Sequence, residues 1–150
     1  MIIGIPKEIM HDEARVACTP ETVSKFVKDG FTVLVEKAAG NGALYHDEDY
    51  VKAGAELIDK AQDVYDRAEV ILKVKEPQFN EQLGKHEVDM MHQGQYLITF
   101  IHPASPVNHD MVKKLSAKGV IAITLDGIPR ISRAQNLDAL TSMSTCAGYK

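Results

Sequence analysis

Short apolar runs rich in β-branched residues alternate along this chain with segments whose apolar residues recur every three or four positions. That alternation is the strongest constraint on its fold. Successive strands joined through helices run parallel, because the helix carries the chain back to the same end of the sheet. The pattern therefore predicts an α/β fold, with a parallel, Rossmann-like (flavodoxin-like) βαβ sheet and flanking helices, rather than a sandwich. Ile2–Ile5 forms a first strand. Thr19 then caps a helix with Pro20 at its first position, with Val23, Phe26 and Val27 on one face and Gly30 at its end, before a strand over 31–35. A helical stretch follows around 47–53. The spacing predicts another helix over 60–68, with Ala61, Val64, Tyr65 and Ala68 on one face and Asp59 and Gln62 as a capping box. A third strand covers 70–74, an irregular insertion includes 87–91, and a fourth strand covers 96–101. Ser105 and Pro106 open a helix to Lys118, with Met111, Val112 and Leu115 inward. Gly119 ends it, and a fifth strand covers 120–125.

The 150 residues, 45% hydrophobic and 25% charged, suffice for one core and one domain. Seventeen basic residues dispersed among 21 acidic ones give a net charge of -4, which excludes a nucleic-acid or anionic-membrane footprint. The longest apolar runs fall far short of the roughly 20 residues that span a bilayer, and no basic segment followed by an apolar stretch opens the chain. A cytoplasmic protein without direct membrane insertion is the expectation. Cys18 and Cys146 are too few to define a disulfide framework and are read as reduced. His11, His46, His86, His92 and His109 sit in polar turns without ligand spacing, so no metal site is expected.

In parallel α/β sheets ligands bind beyond the carboxyl ends of the strands, where loops and helix N-termini converge. That rule selects Arg15 after the first strand, Lys73 and Lys75 closing the third, His102 after the fourth, and 126–130 after the fifth. Each has a plainer reading when taken alone. Arg15 beside Asp12 and Glu13 suits a surface ion pair, a strand-end lysine is usually solvated, and an isolated histidine is commonly a hydrogen-bonded structural residue. Their convergence on one rim favours function for all of them. A nicotinamide nucleotide also needs a phosphate-cradling turn of the G-x-G-x-x-G kind. The chain contains none. Ala39-Gly40-Asn41-Gly42 has two glycines, lacks the third and a clear following helix, and reads as a turn.

The final segment concentrates Arg130, Arg133, Gln135 and Asp138 before the small residues Ala139, Ser142, Ser144, Ala147 and Gly148. Its Arg-Ile-Ser-Arg-Ala-Gln, Asp-Ala-Leu and Ala-Gly-Tyr runs resemble the end of the first domain of NAD(P) transhydrogenase alpha subunits. Gly4-Ile5-Pro6-Lys7-Glu8, Glu13-Ala14-Arg15-Val16-Ala17 and Lys73-Val74-Lys75-Glu76-Pro77 extend the resemblance over essentially the whole chain, and alanine dehydrogenases share this domain.

The alanine dehydrogenase resemblance implies that Arg15 grips a substrate carboxylate, that Lys75 binds a keto acid near its carbonyl, and that His102 is the general acid and base. The transhydrogenase resemblance implies that Arg130, Gln135, Asp138 and Thr141, where a serine is usual, surround the nicotinamide and its ribose, with Gln135 and Asp138 positioning the ring. Without the family, that segment reads as a helix entry with Asp138 at its N-terminus and two solvated arginines. Transhydrogenases commonly carry an aromatic residue where His102 stands, whereas the long loop through Leu83-Gly84-Lys85-His86-Glu87 is transhydrogenase-like. The balance favours transhydrogenase: a nicotinamide-facing wall of a hydride-transfer site between NAD(H) and NADP(H). The alternatives are the pyruvate/alanine substrate domain of an alanine dehydrogenase and a non-catalytic keto-acid-binding or assembly module. Either enzyme implies a separate NAD-binding Rossmann domain, in cis or in trans, that holds the cofactor phosphates, so this chain alone should be nearly inactive. A transhydrogenase further implies NADP(H) on a partner subunit and a peripheral place beside membrane subunits. The small and apolar residues of the last helix, with no glycine stop, imply a cover, and a homodimer is expected.

Overall fold

The computed structural model describes residues 1–149. Six strands form one all-parallel sheet: β1 (Ile2–Ile5), β2 (Thr32–Glu36), β3 (Glu56–Ile58), β4 (Val70–Leu72), β7 (Tyr96–Thr99) and β8 (Ile121–Thr124). Their spatial order is β3-β2-β1-β4-β7-β8. The chain thus winds outward from β1 in one direction, returns, and winds outward from β4 in the other. Loops after β1 and β4 diverge at that reversal and open a crevice at the carboxyl ends of the strands.

The first βαβ unit forms as its sequence dictates. Helix α1 (Pro20–Lys28) begins at Thr19, whose hydroxyl accepts from Thr22 N at 3.3 Å, and the chain turns at Gly30 with φ +87°. α1 and α2 (Asp47–Lys52) cover one face, burying Val23 and Tyr50 against Ile3, Ile5, Val33 and Val35. α3 (Ala61–Arg67), α4 (Glu87–Met90) and α5 (His109–Ala117) cover the other, where Val64, Tyr65, Met111 and Leu115 pack on Leu34, Ile71 and Leu97. Gly4 makes the centre of β1 thin enough for α3. A Cβ there would lie 2.7 Å from Ala68 Cβ and 2.8 Å from Val64 Cγ1.

Three expectations need correcting. The sheet has six strands where the sequence indicates five, because β3 is only three residues long and begins with exposed Glu56, leaving no period to detect. The insertion after Pro77 is not wholly irregular, since β5 (Phe79–Asn80) and β6 (Lys85–His86) pair as a small antiparallel hairpin. The helix over 61–67 is capped at Lys60 with no side-chain cap bond, and Gln62 donates to Asp66 instead of closing a box with Asp59. The carboxylate that reaches back to a helix start is Asp49, which accepts from His46 N at 3.0 Å.

One half of the sheet keeps an open face. Ile121 and Ile123 on β8 remain 45% and 47% exposed, level with Tyr96 and Ile98 of β7. Helix α6 (Ala139–Gly148), capped by Asp138, buries none of its residues. Among the described residues no helix is long and apolar enough to cross a membrane.

Candidate active site

The crevice at the strand reversal holds a cleft of about 270 Å³. Arg15, Lys75, Phe100, His102 and Asp126 line it together with Arg130, Asp138, Leu140 and Met143. Both sets that the sequence singles out, the keto-acid trio and part of the nicotinamide group, therefore open onto one space.

Its centre is built on backbone geometry that the sequence does not display. After β7 the chain turns through His102 at φ +49°, a left-handed conformation rare for residues with a side chain, stacking the ring 5.9 Å from Phe100. The turn presents Ile101 N and His102 N to Asp126 Oδ2 at 3.0 and 2.8 Å, while His102 Nδ1 lies 2.7 Å from Asp126 Oδ1. A carboxylate at Nδ1 fixes the tautomer that keeps the proton there and leaves Nε2 for proton exchange. Burial pushes the Asp126 carboxyl upward. Hydrogen bonds from the Thr124 hydroxyl and from the His102 and Ile101 N–H groups, with the His102 ring, outweigh burial and hold its pKa below the ordinary 3.8.

Beyond Lys75 stands Glu76, to which the sequence assigns no role of its own. Its Oε2 is 3.9 Å from Lys75 Nζ and 3.9 Å from His102 Nε2, and it is a buried side-chain oxygen without a hydrogen-bond partner. It is a carboxyl group within 4 Å of both groups that line the cleft. Its signal was adjacency to Lys75 at a strand end, as Asp126 was signalled by its place on the rim.

Arg15 extends from the loop after β1. Glu13 grips its guanidinium, accepting from Nε at 2.7 Å and also from Nη2, and Nη1 points to Met143 Sδ at 2.8 Å. The surface ion pair and the cleft position thus coexist. The hydrogen bond from Arg15 holds the Glu13 carboxyl below its ordinary range, against burial.

The C-terminal group is only partly drawn in. Asp138 caps α6, accepting from Leu140 N at 3.0 Å and from the Thr141 hydroxyl at 2.6 Å. Thr141 lies with Arg130, Asp138 and Ser144 on a shallow neighbouring recess, and Gln135 is exposed and lines neither. The plainer helix-entry geometry is therefore present together with a cleft position for Arg130 and Asp138. The glycines of 39–42 serve close packing: a Cβ on Gly40 would meet Tyr50 at 2.7 Å, and one on Gly42 would meet Ala14 at 2.8 Å. Cys18 and Cys146 are free thiols, and burial pushes Cys18 up to about 12. Among the described residues no three His, Cys, Asp or Glu side chains are grouped to hold a metal ion.

Glu13 and Asp126, with depressed folded-state pKa values, contribute stability that is present above the ordinary carboxylate value and lost as pH falls through the folded one. Asp126→Asn removes one of these groups. Its melting temperature should fall less steeply than that of the unmodified protein as pH drops below 3.8. Parallel curves would mean that Asp126 is not held by these bonds in solution.

The family model described as "Alanine dehydrogenase/PNT, N-terminal domain" matches residues 4–147. A relative from Haemophilus influenzae, an NAD(P) transhydrogenase subunit alpha, is 39% identical over 150 residues, which is all of this chain and 27% of that protein. An alanine dehydrogenase from Methanococcus maripaludis is 42% identical, covering 99% of this chain and 37% of its own. The crystal structure of a transhydrogenase from Sinorhizobium meliloti superposes with a TM-score of 0.87 at 36% identity, over 99% of this chain and 42% of the other. The chain thus spans well under half the length of the relatives it matches.

Proposed function

The chain belongs to the alanine dehydrogenase/PNT N-terminal domain family, and from that membership we propose that it forms the nicotinamide-facing wall of a hydride-transfer site whose opposite wall is an NAD-binding Rossmann domain. The observation that carries the proposal is the shared cleft, which Arg15, Lys75 and the His102–Asp126 pair line together with Arg130 and Asp138.

The donors on the Arg15–Lys75 side fit a small 2-keto acid. Arg15 is a planar fork suited to a carboxylate, and its Nη1 is held only by a thioether, a weak acceptor that a carboxylate displaces. Lys75 brings an ammonium group to the adjacent carbonyl. His102 Nε2 gives a proton to the substrate oxygen, or takes one from it, while Asp126 holds the ring and Glu76 offsets positive charge behind it. NAD(H), when bound, supplies or receives the hydride. The fit of this chain to the cofactor is at the nicotinamide end alone, through Arg130, Asp138, Thr141 and exposed Gln135, since no glycine cradle is present for the phosphates.

A second acceptor is NADP(H) held by a partner subunit, as in a transhydrogenase. The whole-chain similarity to transhydrogenase alpha subunits supports it, as the similar match to an alanine dehydrogenase supports the keto acid, and exposed Thr141 on the recess beside the cleft and exposed Gln135 outside both are open to a partner. The open β7–β8 face and the uncovered α6 support a partner in either case, whether a Rossmann domain, membrane subunits or a second copy.

The deciding experiment mixes the chain with the separately produced NAD-binding domain and follows NADH oxidation, first with pyruvate and ammonium and then with an NADP analogue plus the NADP-binding subunit. Turnover should require the mixture. Turnover with pyruvate assigns the keto-acid reaction, and turnover with the nucleotide alone assigns transhydrogenation. Silence in both, with the partner domains shown to be folded, overturns the proposal.

A further inference from the structure

Beneath the cleft lies a buried ionic cluster that none of the roles above uses. The Lys73 side chain is fully buried at the end of β4, with Nζ 3.2 Å from Glu8 Oε2 and 2.9 Å from Glu87 Oε1. Tyr65 donates to the same Glu87 oxygen at 2.8 Å. Two carboxyl groups and one ammonium are held together out of water, an arrangement that costs more than an apolar core of the same volume. The two acids are also doing something besides pairing with Lys73.

Their remaining contacts all fall on the segment that carries Lys75 and Glu76. Glu8 Oε1 accepts from Val74 N at 2.6 Å, and its Oε2 lies 3.4 Å from Lys75 N. Glu87 Oε2 accepts from Gln78 N at 2.8 Å, and Gln78 O in turn accepts from Glu87 N at 2.9 Å. Past β4 this stretch has no regular structure, and Pro77 has no N–H to give. A segment at a strand end without a ladder would normally be mobile. Here carboxylates brought from the β1 loop and from the start of α4 hold both of its ends, while Thr99 fixes Lys75 O at 2.9 Å.

We infer that Glu8, Lys73 and Glu87 are positioning residues: a buried clamp that fixes the Lys75–Glu76 backbone so that the Lys75 ammonium and the Glu76 carboxylate are set against His102. This rests on the keto-acid reading of the cleft for its ligand, and on the ion pairs and hydrogen bonds just described for its geometry. The clamp touches no ligand and acts through Lys75.

The test uses the chain itself in two measurements. Pyruvate is titrated while the backbone amide signals of Lys75 and His102 are followed by NMR, and hydrogen exchange is read at Val74, Lys75 and Gln78. Glu87→Gln, which keeps the shape but replaces one acceptor oxygen with an amide, should weaken pyruvate binding at least about tenfold and speed exchange at Gln78 by a similar factor, at a temperature where its circular dichroism is native. A folded variant that melts lower yet binds pyruvate as tightly as the unmodified chain overturns the clamp and leaves only a structural role. If the unmodified chain shows no pyruvate-dependent shift, the keto-acid reading fails by itself. The clamp is then judged on exchange, and unchanged protection at Gln78 in the variant overturns it. Should Glu87→Gln not fold, Tyr65→Phe removes only the hydroxyl donor to Glu87 and carries the same two readouts, with an expected weakening of a fewfold and no change as the contrary result.

Discussion

His102→Gln in the assembled enzyme should lower the rate of pyruvate reduction at least about a hundredfold, the ordinary contribution of a placed general acid and base. Glutamine can still reach Asp126 but cannot exchange a proton near neutral pH. Binding through Arg15 and Lys75 is left in place, so the loss should appear in kcat rather than in KM. Hydride passing directly between two nicotinamides needs no proton from the protein, and the same variant should leave transhydrogenation nearly untouched. Gln135→Ala and Asp138→Ala should instead impair transhydrogenation as well, because a misplaced ring impairs hydride transfer whichever acceptor is used. Steady-state rates with both acceptors decide the matter. Pyruvate turnover that survives His102→Gln removes the acid–base role, whatever the fate of the rest.

Lys73→Met should destabilise the fold by about 3–5 kcal/mol, the usual result of removing one partner from a buried ion pair. The lysine is fully buried, and Met fills most of its volume, so the effect is electrostatic rather than a cavity. Burial already raises the Glu8 pKa, with Lys73 as the largest opposing influence. The two carboxylates offset the desolvation of Lys73 and keep it charged. Without the lysine, Glu8 takes up a proton more readily. A raised folded-state pKa gives stability that is present below the ordinary value of 4.5 and lost as pH rises through the folded one. The variant should therefore melt closer to the unmodified protein at pH 5 than at pH 8. Adding Glu8→Gln and Glu87→Gln to Lys73→Met should recover part of the loss, since no uncompensated charge then remains. Chemical denaturation at the two pH values reads all of this, and a Lys73→Met variant within about 1 kcal/mol of the parent at pH 8 would mean that water reaches the cluster.

Much of the fold was legible because strands of four or five residues between capped helices leave a clear period: Thr19-Pro20 and Gly30 bracket α1 as their chemistry requires. β3 escaped because three residues, one of them an exposed glutamate, carry no period, and the β5–β6 hairpin because two residues per strand carry even less. In the site, Arg15, Lys75 and His102 were found from their positions at strand ends, and they do face one cleft. What could not be read was pairing. Asp126 becomes the partner of His102 only because the backbone at 102 turns left-handed, and Glu8 meets Lys75 only through a bond spanning 67 positions. Local sequence holds no trace of either. Resemblance supplied roles for Arg130, Gln135, Asp138 and Thr141, and the fold gathers Arg130 and Asp138 into the cleft while leaving Gln135 outside it.

The central claim is that this chain supplies one wall of a nicotinamide site and leaves the cofactor phosphates to another domain. Calorimetric titration of NADH into the chain alone, and then into its mixture with a separately produced Rossmann domain, tests it most directly. With contacts only near the nicotinamide end, the chain alone should bind with a dissociation constant of about millimolar or weaker, because so few groups must offset the freedom lost on association. The mixture should bind far more tightly. Micromolar binding by the chain alone would contradict the account, since it would require a complete nucleotide site within these 150 residues.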